Sequence, residues 1–319
     1  MTTYIFFILG FFILIKGADI LINGSVSVAK KFKISSIVIG LTIVAFGTSM
    51  PELIVNIFAN AQGKTEIVIG NILGSNIVNI LFILGISAVI YPITANKNTV
   101  LKEIPFSLLA IVVLGIMAND IIIDGQIFSS ITRIDGLILI SFLIIFLYYI
   151  FGITKSVEDI VGKDEIKVFS YSKGVFYIIL GIVGLIVGGK WIVDGAVEIA
   201  KFFNISESLI GLTIIAIGTS LPELATSAVA AYKKQSDIAI GNIVGSNIFN
   251  IFFVLGVSAI IRPLPFNDNL NKDIAMTIFA SVILLLMMFI GKKRIIKRWQ
   301  GIFMIIVYIG YIVFLVWSK

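Results

Sequence analysis

Apolar and polar residues alternate along this chain on the scale of whole helices. Apolar runs lie at 3–28, 34–61, 67–90, 104–118 and 134–153. Five more follow at 175–200, 205–231, 238–261, 274–290 and 302–317. A helix needs about 20 apolar residues to cross a bilayer, so the pattern predicts an all-α integral membrane protein of ten spans. Several runs are longer than that and should tilt or break. The organisation expected is a first five-helix unit at 1–153, a solvated mixed-charge linker at 154–173 and a second five-helix unit at 174–319. The first run of each unit carries charge (Lys16 and Asp19; Lys190, Asp194 and Glu198), for which helix-end snorkelling or local pairing is the expected account.

Inside this apolar background two polar phrases are each written twice. GLTIVAFGTSMPEL at 40–53 returns as GLTIIAIGTSLPEL at 211–224, and GNILGSNIVNI at 70–80 returns as GNIVGSNIFNI at 241–251, both with the same offset (223 − 52 = 171). Five spans per unit is an odd number, so the second unit must enter the membrane from the opposite side, and the repeats are expected to be inverted. Basic residues give an independent test: 16 Lys and Arg fall in one set of alternate loops and 6 in the other, with Lys16 and Lys190 inside runs. By the positive-inside rule the richer set, including the linker, is cytoplasmic and both termini lie outside.

Composition narrows the chemistry. The chain is 59% hydrophobic and 13% charged, with mean hydropathy +1.11, far from the average soluble domain. It has no Cys and no His, which excludes disulfides, thiolate or imidazole metal ligands and a histidine proton relay. Any metal ion must meet oxygen, which suits hard cations such as Na⁺, Ca²⁺ or Mg²⁺. The net charge of +6 belongs to lysines between apolar runs and does not describe a nucleic-acid surface. The first run lacks a basic leader and continues through Lys16 and Asp19, so no cleavable signal peptide is expected.

The repeated carboxylates are the informative residues, because charge within a span is costly and is generally functional. Pro51 has no N–H for the Gly47 carbonyl, and Gly47 itself weakens helix, so the second span should kink or unwind there. Irregular backbone at membrane depth is tolerated only where it lines a protein cavity. Thr48, Ser49 and Glu52 would line it on one side, and Thr219, Ser220 and Glu223, beside Gly218 and Pro222, on the other. Inverted symmetry brings such breaks together near the midplane. In the second phrase, Ser75 and Asn79 are four residues apart and can share one helix face, as can Ser246 and Asn250. Asn76 and Asn247 point off that face. The glycines at 70 and 74, and at 241 and 245, also fit close helix packing, which requires no ion.

At these residues the chain resembles the sodium/calcium exchanger family of the cation/calcium antiporter superfamily, in its prokaryotic form without a regulatory domain. The resemblance covers nearly the whole chain and rests on GTS-x-PE and GSN-x-x-N, each present twice. It implies ten transmembrane helices in two inverted five-helix repeats with broken helices at a central site. It also implies a metal-ligand set of Glu52, Thr48, Ser49, Ser75, Asn79 and the Ala45 carbonyl, with Glu223, Thr219, Ser220, Ser246, Asn250 and the Ala216 carbonyl. Some relatives have Asp at the position of Asn250, including potassium-dependent ones, so potassium dependence is not expected here.

The function expected from this resemblance is antiport of Na⁺ for Ca²⁺ across the cell membrane by alternating access. Na⁺ and Ca²⁺ are transported substrates, with no cofactor, no enzymatic activity, no nucleic acid and no obligatory protein partner beyond the lipid bilayer. The alternative on the same fold is Ca²⁺/H⁺ or other cation antiport. A passive channel fits proline-broken inverted repeats less well. An enzyme using two glutamates as acid and base would lack an accompanying nucleophile or nucleotide loop.

Overall fold

The computed structural model describes residues 2–32, 34–154, 169–202, 216–290 and 294–317, and these are helical almost throughout. The helices are α1 (Thr2–Phe32), α2 (Ser36–Thr48), α3 (Met50–Ala61), α4 (65–90), α5 (Thr99–Met117), α6 (Arg133–Thr154), α7 (Tyr171–Phe202), α8 (Ala216–Thr219), α9 (Leu221–Tyr232), α10 (Ser236–Ile261), α11 (Asn271–Met287) and α12 (Arg298–Trp317). Eight are long and apolar enough to span a bilayer, and the bent pair α2–α3 makes a ninth among the described residues. The expected run at 205–231 lies outside the described residues before Ala216, as does most of the expected linker.

Burial is arranged for lipid. In α4 and α10, 78% and 83% of the most apolar stretch is buried, against 22% to 39% in the other long spans. These two helices form the centre, and they carry the repeated GSN phrase. Around them, α6 and α12 expose Ile144, Ile145, Phe151, Ile306, Ile309 and Phe314. Polar residues collect inside instead: Asn56, Asn60, Asn79, Asn242 and Asn250 are fully buried. That distribution is what a low-dielectric exterior dictates.

The α1–α7 contact is the most extensive between any two elements among the described residues, and glycine makes it possible. Gly10, Gly17 and Gly24 on α1 face Gly174, Gly181 and Gly188 on α7, every seventh residue on both helices. A Cβ on Gly188 would stand 2.7 Å from the Leu14 nitrogen, and one on Gly181 would stand 2.7 Å from the Leu21 Cα. Small residues at helix contacts let backbones approach this closely. Of the charges on the first runs, Asp19 has a local partner, accepting from Asn23 Nδ2 one turn on at 3.3 Å, and it also reaches Lys233, just past α9, at 2.6 Å.

Two short ribbons tie helix ends across the molecule, Ile93–Thr94 against Ile295–Ile296 and Ser130–Ile131 against Leu264–Pro265. Two part-buried tyrosine–carboxylate contacts do the same between outer helices. Tyr149 on α6 donates to Glu103 Oε1 on α5 at 2.5 Å, and Tyr311 on α12 donates to Asp273 on α11. α5 begins at Thr99, five residues before the expected 104, because a π-helical turn (Thr99–Glu103) extends it through Lys102.

Candidate cation site at the crossed helix breaks

The two breaks are kinks rather than unwound segments. Between α2 and α3 only Ser49 leaves the helix (φ −81°, ψ 3°), and the axes bend by 40°. Between α8 and α9, Ser220 does the same (φ −88°, ψ 6°). Pro51 and Pro222 fall in the first turn of the new helices, where a missing N–H is harmless. Glu52 and Glu223 stand in the same first turns, so each carboxylate sits at the partially positive end of its own helix. The Ala45 carbonyl is not liberated: it accepts the Ser49 N–H at 3.0 Å and lies 3.3 Å from the Thr48 hydroxyl. Ala216 opens α8.

The side chains then cross. Ser49 Oγ donates to Glu223 Oε1 at 3.3 Å, while Ser220 Oγ lies 3.4 Å from Glu52 Oε1. Thr48 Oγ1 donates to Asn242 Oδ1 at 3.0 Å, and Thr219 Oγ1 to Asn71 Oδ1 at 3.3 Å. Ser246 Oγ donates to Glu223 Oε1 at 3.3 Å, and Ser75 Oγ is 3.3 Å from Ser220 Oγ. Adding or subtracting 171 turns each of the first two contacts into its partner with the halves exchanged, which is the signature of a two-fold relation between the repeated phrases. Both glutamates are fully buried. Burial at this depth disfavours an unpaired charge.

Four oxygens in this cluster have no donor. Glu52 Oε2, Glu223 Oε2, Asn79 Oδ1 and Asn250 Oδ1 are buried without a hydrogen-bond partner, two from each half. The serines hold one oxygen of each carboxylate and leave the other bare. A buried acceptor without a donor is costly, and bare carboxylate and amide oxygens are the donor types a hard cation takes. Among the described residues no cluster of three or more Asp, Glu, His or Cys side chains suits a metal, so two charges and neutral oxygens are what this site offers.

Three features lay beyond the motif reading. π-helical turns run through Val78–Ile83 and Phe249–Leu255, so Asn79 and Asn250 sit in widened helix of the kind frequent at functional sites. Asn76 and Asn247, expected off the site face, each reach across to the other half, as described below. Asn71 and Asn242 hold the threonines and are themselves braced: Asn71 Nδ2 donates to Asn56 Oδ1 at 2.8 Å, and Asn242 Nδ2 to Ser227 Oγ at 2.9 Å. The signal for this pair was present, since both occupy the same place in the repeated GN-I phrase. The packing account of the glycines holds in one half. A Cβ on Gly245 would meet the Leu41 carbonyl at 2.7 Å, whereas the region matching Leu41 in the second half lies outside the described residues.

An all-helical multi-pass membrane protein with buried carboxylates at paired helix breaks has the build of a secondary transporter. Comparison with known proteins names the class more closely. Residues 2–152 and 173–317 match the sodium/calcium exchanger protein family. The chain is 38% identical over 319 residues to the putative antiporter CaxA of Alkalimonas amylolytica, covering 96% of each. It is 29% identical to the sodium/calcium exchanger MaX1 of Methanosarcina acetivorans, covering 98% of each. The solved structure of the sodium-calcium exchanger NCX_Mj soaked with 2.5 mM Na⁺ and 0.1 mM Ca²⁺ matches with a TM-score of 0.83 at 34% identity, over 98% of both chains. This chain belongs to the sodium/calcium exchanger family, a family of transmembrane antiporters.

Proposed function

We propose that this protein exchanges Na⁺ for Ca²⁺ across the cell membrane by alternating access, at one site built from Glu52 and Glu223. The observation that carries this reading is the set of four buried acceptors without donors, Glu52 Oε2, Glu223 Oε2, Asn79 Oδ1 and Asn250 Oδ1. Two carboxylates match the charge of one Ca²⁺, and Thr48, Thr219, Ser49, Ser220, Ser75, Ser246, the Ala216 carbonyl and the lone pair that the Ser49 N–H leaves on the Ala45 carbonyl supply neutral oxygens toward the ~6–8 it takes. The carbonyl ends of α2 and α8 add partial negative charge.

The fold completes as ten spans in two inverted units, 1–153 and 174–319, joined by a cytoplasmic linker at 154–173, with both termini extracellular. The crossed contacts related by 171 residues support a two-fold relation between the units, and an odd number of spans in each would make that relation an inversion. The family match supports Na⁺ and Ca²⁺ as the ions. Exchange follows from mutual exclusion: Na⁺ and Ca²⁺ compete for the same oxygens, and two bare carboxylates in an empty site resist occlusion. The α1–α7 pair, packed backbone to backbone, moves as the gate.

Purified protein in sealed liposomes tests this. An outward-directed Na⁺ gradient should drive radiolabelled Ca²⁺ uptake, and collapse of that gradient should stop it. Uptake driven by a pH gradient without Na⁺ would assign the Ca²⁺/H⁺ alternative instead.

A further inference from the structure

Asn79 and Asn250 are amides, and an amide can serve a cation only through its oxygen. Turned by half a rotation it presents an NH₂ group, whose partial positive charge repels the ion. The neighbouring side chains decide which way each one faces. Asn79 Nδ2 donates to Asn247 Oδ1 at 3.0 Å, and Asn250 Nδ2 donates to Asn76 Oδ1 at 3.1 Å. Both contacts cross from one half to the other, and each is the other with the halves exchanged. Asn76 Nδ2 is directed in turn to the Asn247 carbonyl at 3.4 Å. Asn76 and Asn247 are 1% and 2% exposed, so water cannot replace these acceptors.

We infer that Asn76 and Asn247 are positioning residues for the site, each consuming the N–H of the other half's asparagine so that its Oδ1 is left for the cation. This rests on the proposed reading of Glu52 and Glu223 as the cation site, and it adds two residues that touch no ion. The geometry supplies both parts of the argument. The amide nitrogens of Asn79 and Asn250 have buried acceptors, and the oxygens of the same two amides have no donor at all. Ser75, on the same helix face as Asn79, lies 3.3 Å from Ser220 Oγ, which places that face at the carboxylates. The arrangement also joins the halves, because the orientation of each site amide is set from the opposite repeat.

The test is a mutant cycle read by equilibrium Ca²⁺ titration of the purified full-length protein, with each variant checked for unaltered monodisperse elution. Asn76→Ala should weaken Ca²⁺ binding roughly threefold to tenfold, the factor for one amide hydrogen bond. That cost should vanish when Asn250→Ala has already removed the amide that Asn76 orients. It should persist in the Asn79→Ala background, because Asn79 is oriented by Asn247. Asn247→Ala should give the mirror pattern, losing its effect with Asn79→Ala and keeping it with Asn250→Ala. Equal costs in every background would mean Asn76 acts by packing alone and would overturn the inference. So would wild-type binding that Asn76→Ala leaves unchanged. Wild-type protein that binds no Ca²⁺ would instead remove the reading of the site itself, and the inference with it.

Discussion

The Lys233 ammonium lies 2.6 Å from Asp19 Oδ1 and 2.8 Å from Asn23 Oδ1, tying the middle of α1 to the end of α9. The same offset converts Lys233 to Gln62, Asp19 to Lys190 and Asn23 to Asp194, so α3 offers no lysine for α7 to hold. Packing is unequal in the same sense: α1 lies along α9, while α7 has no comparable contact with α3 among the described residues. Among the described residues, one side of the bundle is clamped in this way and the other is not.

Breaking the clamp should loosen the α1–α9 seam. The chain has no native cysteine, so Thr226→Cys, at a fully buried position on α9, gives a single reporter thiol. Lys233→Gln should raise its reaction rate with a maleimide by roughly two- to fivefold, matching ~0.5–1 kcal/mol for a partly exposed pair. An unchanged rate would mean that the pair does not hold the seam.

Glu52→Gln and Glu223→Gln keep the shape and one acceptor for the crossed serine while removing a charge. Each should weaken Ca²⁺ binding by more than ~100-fold, the scale of about 3–5 kcal/mol for stripping one partner from a buried charge pair. Calcium titration of correctly folded variants measures this, and a loss below tenfold would place the ion elsewhere.

Ser49→Ala removes a hydrogen bond to Glu223, and Ser220→Ala removes one to Glu52. Each should cost roughly 1.5–3 kcal/mol of Ca²⁺ affinity if the bond stays charge-assisted in the loaded site. Ser49→Ala should add little to Glu223→Gln but its full cost to Glu52→Gln. A double-mutant cycle distinguishes this crossed pattern from pairing within one half.

Gly188→Ala would drive a Cβ to within 2.7 Å of the α1 backbone at Leu14, whereas Gly310 on α12 has nothing within 4 Å. The first substitution should lower the thermal midpoint in detergent, on the scale of about 1–3 kcal/mol for overpacking. Gly310→Ala should leave it unchanged or slightly raised. Equal responses would show that the α1–α7 contact is not tight.

The helical segments were legible because bilayer thickness imposes one length on every span, and nine of the ten expected runs have a span-length helix or bent pair at their position in the described residues. The ends were less so: nothing in the hydropathy of Thr99 to Glu103 announces the π-helical turn that carries α5 past Lys102. The candidate site stood out through its cost, since Glu52 and Glu223 are acids where lipid penalises them and each repeats the other. Its bracing did not. The hydrogen bonds from Asn79 to Asn247 and from Lys233 to Asn23 join residues 168 and 210 positions apart, and no local pattern encodes such a partner. The seven-residue glycine spacing of α1 and α7 is visible in the sequence once the contact is known, but glycine is common enough in membrane helices to conceal it.

The most direct measurement is anomalous diffraction from crystals of this protein equilibrated with Ca²⁺. A single strong peak within about 2.3–2.6 Å of a carboxylate oxygen from both Glu52 and Glu223, weakened on transfer to excess Na⁺, is the predicted result. A peak bound by one glutamate alone, or no density between the two helix breaks, would contradict a shared site.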